Sequence, residues 1–224
     1  MRLLYRGCIG LENLLLRITA REWTVEGRDN VPSKGRLIVV PNHLSYADSS
    51  MVATALTRPV RFLAKDTLFE NPVSRWFLST YGAFPLSRGS IDVRAYRWAR
   101  SVLEADEALV LFPEGTRGVG GLGHGQAGVA RLALATGSPL LPVGVTGTAH
   151  MGPWWRVLCP TGRIRVNIGE PFSLPEIEGP PAKRTVNLLT EEIMRRIADL
   201  LPESYRGIYA GSAVGAAAGV ARET

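Results

Sequence analysis

The stretch VVPNHLSYADSS, residues 39–50, decides how the rest of the chain is read. An apolar run that starts at Leu37 ends at Pro41, and Asn42, His43, Ser45 and Asp48 follow. A buried strand feeding a polar turn and then a helix is the building unit of α/β proteins. Positions i and i+5 of a regular helix lie about 140° apart, so His43 and Asp48 could not meet if both stood mid-helix. They can meet if His43 sits on the turn leaving the strand and Asp48 on the first turn of the helix that follows. A carboxylate on one ring nitrogen fixes the tautomer and stabilises the imidazolium, which leaves the other nitrogen to shuttle a proton near neutral pH. The same letters support a plainer reading, with Ser45-x-x-Asp48 as a capping box and His43 as a hydrogen-bonded turn residue.

Outward from this stretch, short apolar runs alternate with helical ones. Leu37–Val40, Val60–Ala64, Leu109–Phe112, Leu140–Val145 and Ile164–Ile168 read as strands; residues 91–105, 127–135 and 184–200 read as helices. Continuous apolar strands imply a sheet covered on both faces, hence a single α/β domain with a mixed, mostly parallel sheet flanked by helices. Leu4, Cys8, Leu11, Leu15 and Ile18 recur at helical spacing among Arg2, Arg6, Arg17 and Arg21, the pattern of an N-terminal amphipathic helix. That helix suits a membrane surface or a dock on the protein core equally. The expected division is a membrane-associating helix over 1–22, a body over 23–205 and a loosely ordered tail over 206–224.

The 224 residues carry 26 Lys and Arg against 20 Asp and Glu, a formal charge of +6, and 46% are apolar. These values exclude a disordered chain, a coiled coil and a collagen-like repeat. Cys8 and Cys159 are too few for a disulfide framework and lack metal-ligand spacing, which favours a reducing compartment. The arginines form no run and no nucleic-acid signature, so anionic membranes and phosphate-bearing small molecules are the better partners for the charge. Residues 132–155 contain no Asp, Glu, Lys or Arg, yet glycines and prolines punctuate them as strand and loop rather than a span.

A second strand end carries VLFPEGTR, residues 110–117. Here Gly115 allows close backbone approach, Thr116 offers a hydroxyl, and Arg117 presents a planar fork for phosphate or carboxylate oxygens. A surface Glu114–Arg117 pair is the bland alternative. YGAFPLSR, residues 81–88, ends in Arg88, and Lys65 follows the VRFLA run. In an open α/β sheet such strand ends converge on one crevice, where a His–Asp pair beside cations describes base catalysis on an anionic substrate. GVGGLG at 118–123 fits a dinucleotide fingerprint in letters only, because no carboxylate occurs between Glu114 and Glu170 to hold a ribose. His43, His124 and His150 lack the spacing of a zinc site, and neither a metal nor a cofactor is called for.

Taken in order, NHLSYAD, GAFPLSR, FPEGTR and LPVGV resemble the four blocks of the glycerolipid acyltransferases, the 1-acylglycerol-3-phosphate acyltransferase group. The resemblance implies a glycerolipid-acyltransferase-like α/β body, peripheral and monotopic on the cytoplasmic face of the cell membrane. Its donor would be acyl-CoA or acyl carrier protein, its acceptor lysophosphatidic acid and its product phosphatidic acid; nucleic acid is no partner. The same chemistry on glycerol 3-phosphate or another lysophospholipid, or an inactive lipid-binding relative, are the competing readings. By resemblance His43 would be the general base and Asp48 its orienting partner, in a direct transfer with no acyl-enzyme. Asn42, Ser45, Lys65, Arg88, Glu114, Gly115, Thr116 and Arg117 would bind substrate, and Leu141, Pro142 and Val143 would line the acyl or acceptor side. Two departures stand out: Gly118 replaces a frequent serine, and His124 lies where a lysine is common.

Overall fold

The computed structural model describes residues 2–87, 92–118, 121–152, 156 and 159–211. Seven strands form one sheet: β1 (Glu22–Glu26), β2 (Leu37–Pro41), β3 (Val60–Lys65), β4 (Ala83–Leu86), β5 (Ala108–Val110), β6 (Leu140–Thr146) and β7 (Arg163–Ile168). Their order is β1-β7-β6-β2-β5-β3-β4. From β6 to β4 all neighbours are parallel, so the C-terminal ends of β2, β3, β4 and β5 open on one edge. β7 runs antiparallel to β6 and carries β1 parallel beside it. The mixed, mostly parallel sheet expected from the continuous apolar runs is therefore the fold.

Among the described residues, six α-helices pack around the sheet: α1 (Arg2–Thr19), α2 (Asp48–Ala55), α3 (Pro72–Tyr81), α4 (Val93–Glu104), α5 (Gly128–Thr136) and α6 (Lys183–Asp199). Side chains alternate across a strand, so Leu37 and Val39 pack with Met51 and Val52 of α2 on one face. Ile38 and Val40 meet Val102 of α4, Val129 of α5 and Ile193 of α6 on the opposite face. Two cores on either side of β2 explain why its five residues are all buried. The expected strand Leu109–Phe112 stops at Val110, because the Phe112 carbonyl turns to accept the Gly115 N–H at 3.1 Å. The body also runs past the expected boundary at 205: Tyr209 is buried, and Ile208 N donates to the Leu122 carbonyl at 3.2 Å.

The N-terminal helix does two things at once. Tyr5, Glu12 and Leu16 form its buried seam against the body, while Leu3, Leu11, Leu14 and Ile18 stand exposed on its other side. Among the described residues, no helix is long and apolar enough to cross a membrane. Glu12 is unusual on such a seam: it is 7% exposed, and its Oε1 accepts from Ser50 Oγ of α2 at 3.3 Å. Burial pushes its carboxyl up to about 7, only partly offset by the serine. A carboxyl whose folded value lies above its unfolded one disfavours the fold once it ionises, so stability falls as pH rises from about 4.5 to about 7. The loss is on the order of 2–3 kcal/mol above neutrality. Glu12→Gln is expected to remove that loss, so that denaturant midpoints at pH 5.5 and 8.5 lie closer together than in the wild type. An unchanged difference between the two pH values would rule out the buried carboxyl as its source.

Candidate functional site

The site begins where β2 ends. The turn after Pro41 leads His43 out of the sheet, and Asp48 opens α2, fully buried. His43 Nδ1 lies 2.9 Å from Asp48 Oδ2, and the imidazole stacks on Phe112 with ring centroids 4.0 Å apart. With Nδ1 facing a carboxylate it carries the proton, which leaves Nε2 as the basic nitrogen. Asp48 Oδ2 also accepts from Leu44 N at 2.5 Å and Ser45 N at 2.7 Å, while Ser45 Oγ accepts from Ala47 N at 3.1 Å. Half of the expected capping box is present, since Asp48 accepts from Ser45 N while Ser45 Oγ accepts from Ala47 N and not Asp48 N; the same carboxylate holds the turn and contacts the ring.

Three of the side chains expected to bind substrate, those of Asn42, Ser45 and Glu114, are hydrogen-bonded inside the protein. Asn42 is buried and clasps β6, donating to Val145 O at 2.9 Å and accepting from Val145 N at 2.6 Å. Ser45 is buried beneath Asp48. Glu114 is buried as well: Oε1 accepts the His43 N–H at 2.8 Å and Oε2 the Gly123 N–H at 3.1 Å. Burial raises its carboxyl above the ordinary value, opposed by these two donors. Glu114 therefore braces the histidine turn from below rather than facing a phosphate. Leu141, Pro142 and Val143 lie buried in the sheet on β6, since both faces of that strand are covered, and they are not among the residues that line the crevice beside His43.

The crevice above the strand ends encloses about 190 Å³. His43, Tyr46, Lys65, Gly115 and Arg117 form its polar side; Leu63, Leu68, Leu86 and Phe112 form its apolar floor. Gly115 has a left-handed φ of 67°, which lets the turn carry Thr116 and Arg117 outward. The Arg117 guanidinium sits 3.8 Å above the Tyr46 ring, joining the two sequence blocks across the opening. Arg88 lies outside the described residues. Gly118 donates to the His43 carbonyl at 2.8 Å, and a Cβ there would stand 2.9 Å from Gly121 O. The glycine in place of serine thus fits a tight crossing. His124 is exposed and lies 4.0 Å from Glu191, away from the crevice-lining residues.

Sequence reasoning missed Tyr46, Phe112, Thr148 and Tyr205. Thr148, fully buried after β6, donates to Asp48 Oδ1 at 2.6 Å across 100 residues of chain. Next to it, Gly147 N donates to Tyr205 Oη at 3.3 Å, while the Tyr205 carbonyl accepts from Leu122 N at 2.9 Å. The segment around Tyr205 thus ties the loop that supports Glu114 to the turn that supports Asp48. Only the helix-capping letters of residues 45–48 hinted at any of this; the long-range donors have no local signal.

The chain is similar to known proteins over most of its length. A family model described as Acyltransferase matches residues 22–146, more than half the chain. A Streptococcus pneumoniae protein named 1-acyl-sn-glycerol-3-phosphate acyltransferase is 29% identical over 79% of this chain and 66% of its own length. One of the same name from Bacillus subtilis is 25% identical over 88% of this chain and 96% of its own length. The chain spans about half of the matched chloroplastic protein of Brassica napus, which is 29% identical over 78% of this chain and 49% of its own. The crystal structure of the 1-acyl-sn-glycerophosphate (LPA) acyltransferase PlsC from Thermotoga maritima superimposes with a TM-score of 0.67 at 27% identity, covering 84% of this chain and 76% of that one.

Thr148→Val, nearly the same shape, removes the shortest side-chain donor to a buried carboxylate. It is expected to cost about 1.5–3 kcal/mol of stability and to shift the His43 Nδ1–H signal in the proton NMR spectrum. Thr148→Ser should restore both; a valine variant with the wild-type signal would show that Thr148 does not hold the pair.

Proposed function

Because the chain belongs to the acyltransferase family, we propose that it moves an acyl group from a thioester to the free hydroxyl of 1-acylglycerol 3-phosphate, forming phosphatidic acid. The observation that carries this reading is the His43–Asp48 contact of 2.9 Å, with Arg117 on the same crevice. His43 Nε2 removes the proton of the acceptor hydroxyl as its oxygen attacks the thioester carbonyl, and Asp48 steadies the imidazolium that forms. Collapse of the tetrahedral intermediate expels the thiolate, which takes the proton from His43 and leaves as the thiol. No acyl-enzyme is required, and the crevice lining contains no cysteine. Arg117 and Lys65 bind the acceptor phosphate, where a doubly charged group gains most from a guanidinium fork. Stacking on Tyr46 holds that fork in place before substrate arrives.

The donor is acyl-CoA or acyl carrier protein, both anionic and both matched to a chain of +6. The place of action is the cytoplasmic face of the membrane, reached peripherally through α1, whose exposed leucines stand beside the exposed Arg6 and Arg17.

A transfer assay with a panel of donors and acceptors, scored by mass spectrometry of the lipid product, tests the reading. Phosphatidic acid and free thiol are expected only when lysophosphatidate is present; ester formed solely on glycerol 3-phosphate or another lysophospholipid would replace the acceptor. His43→Ala is expected to lower kcat by about 10³-fold or more with the fold intact. Appreciable turnover by the folded variant would remove the base assignment. Arg117→Ala should raise KM for the acceptor by about 10-fold or more and that for the donor little. A change confined to the donor would overturn the phosphate role.

A further inference from the structure

α3 packs on the body through Leu78 and Tyr81 and turns an apolar face outward. Val73, Trp76 and Phe77, spaced i, i+3 and i+4, are 73%, 62% and 43% exposed, and no residue of the helix is fully buried. Its ends are nonetheless firmly built: Asn71 Oδ1 caps Val73 N at 2.9 Å, Pro72 opens the first turn, and Gly82 closes the helix at a φ of 100°. A well-capped helix that keeps a Trp, a Phe and a Val in water is not explained by packing among the described residues.

Three further observations identify what covers this face. α3 abuts α1 through Tyr81, whose ring stacks on Phe77 with centroids 5.9 Å apart and meets Tyr5 of α1 in a tilted contact at 5.3 Å. The exposed leucines of α1 thus belong to the same side-by-side pair of helices. The only carboxylate in either helix is Glu12, and it is buried, so their exposed charges are all arginine, as on Arg6, Arg17 and Arg75. The nearest exposed carboxylate in sequence, Glu70, lies on the turn before α3. Finally, α3 follows directly from the crevice wall: Lys65, Thr67 and Leu68 line the crevice, and Arg75 Nε donates to Phe69 O at 2.8 Å. At about 190 Å³ the crevice is smaller than the ~300–1,000 Å³ of common ligand pockets, so it accepts the reacting end of a lipid and leaves its tail outside.

We propose that α3 is a second bilayer-docking helix, which with α1 seats the crevice mouth on an anionic membrane and lets the acceptor react with its tail still in the bilayer. Apolar side chains enter the interfacial region, Trp76 takes the headgroup level that suits its amphipathic ring, and the arginines meet anionic headgroups. This proposal rests on the reading of the acceptor as a lysophospholipid.

The test uses the full chain, as wild type, Val73→Ser/Trp76→Ser and Leu14→Ser/Ile18→Ser, with vesicles of phosphatidylcholine and phosphatidylglycerol. Flotation measures binding, and quenching of Trp76 by brominated lipid, read against Trp76→Phe, measures insertion. Transfer is assayed on a long-chain acceptor in vesicles and on a short-chain acceptor in free solution. The α3 variant is expected to lose vesicle affinity by about 10-fold or more. Its rate on the vesicle-borne acceptor should fall in proportion while its rate on the soluble acceptor stays at the wild-type value. Wild-type vesicle affinity in the α3 variant, or no vesicle binding by any form, overturns the proposal. So does an equal loss on both acceptors with unchanged circular dichroism, which would place α3 in service of the site, or a changed KM for acyl carrier protein alone, which would make it a protein dock. Loss of vesicle binding by the α3 variant, with no transfer by any form to any acceptor, would support the docking role and remove the acyltransferase reading.

Discussion

The carboxylate of Asp48 is the contact on which the site depends. Buried at the start of α2, it accepts five hydrogen bonds, from His43 Nδ1, Leu44 N, Ser45 N, Ser45 Oγ and Thr148 Oγ1. An ionised group deprived of water survives only with such a set of donors. Two of the five come from backbone that the chain must turn sharply to supply, and that turn brings His43 to its partner. The charge therefore shapes the loop that it then serves, and the ring needs no separate device to hold its tautomer.

Glu114 performs the matching task one strand over. It grips the backbone of His43 and of Gly123, so that the two turns emerging from β2 and β5 are braced against each other. The Gly118 N–H to the His43 carbonyl adds a third tie. A glycine-rich loop that looked like a nucleotide fingerprint becomes intelligible in this setting. Gly118 and Gly121 cross closely there, and a Cβ on Gly207 would run into the backbone of Leu122. Small residues are required by the meeting of three chain segments.

Much of this was legible because parallel β-structure is written plainly. Strands covered on both faces read as unbroken apolar runs, and β2, β3, β6 and β7 fall where those runs stand. β1 escaped notice because EWTVE is half-exposed on the edge and carries charge at both ends. α3 carried its punctuation openly, in Asn71, Pro72 and Gly82, but its apolar residues face outward and so gave no core-facing stripe to recognise. The expected acyl-lining residues on β6 stand buried within the sheet, the reverse case. An apolar run in a doubly covered central strand builds the sheet, and the apolar lining of the crevice comes from Leu63, Leu68, Leu86 and Phe112 on neighbouring strands and turns.

By itself, the sequence determined the α/β class, the convergence of several strand ends and the pairing of His43 with Asp48, since each depends on short-range periodicity or a spacing of a few residues. Only the tertiary structure decided that Asn42, Ser45 and Glu114 support the site from inside, that Thr148 completes the shell of Asp48 and that Tyr46 stacks on Arg117. Those contacts join residues as far as 103 positions apart, and no local pattern in a chain encodes which distant donor will arrive beside a buried charge.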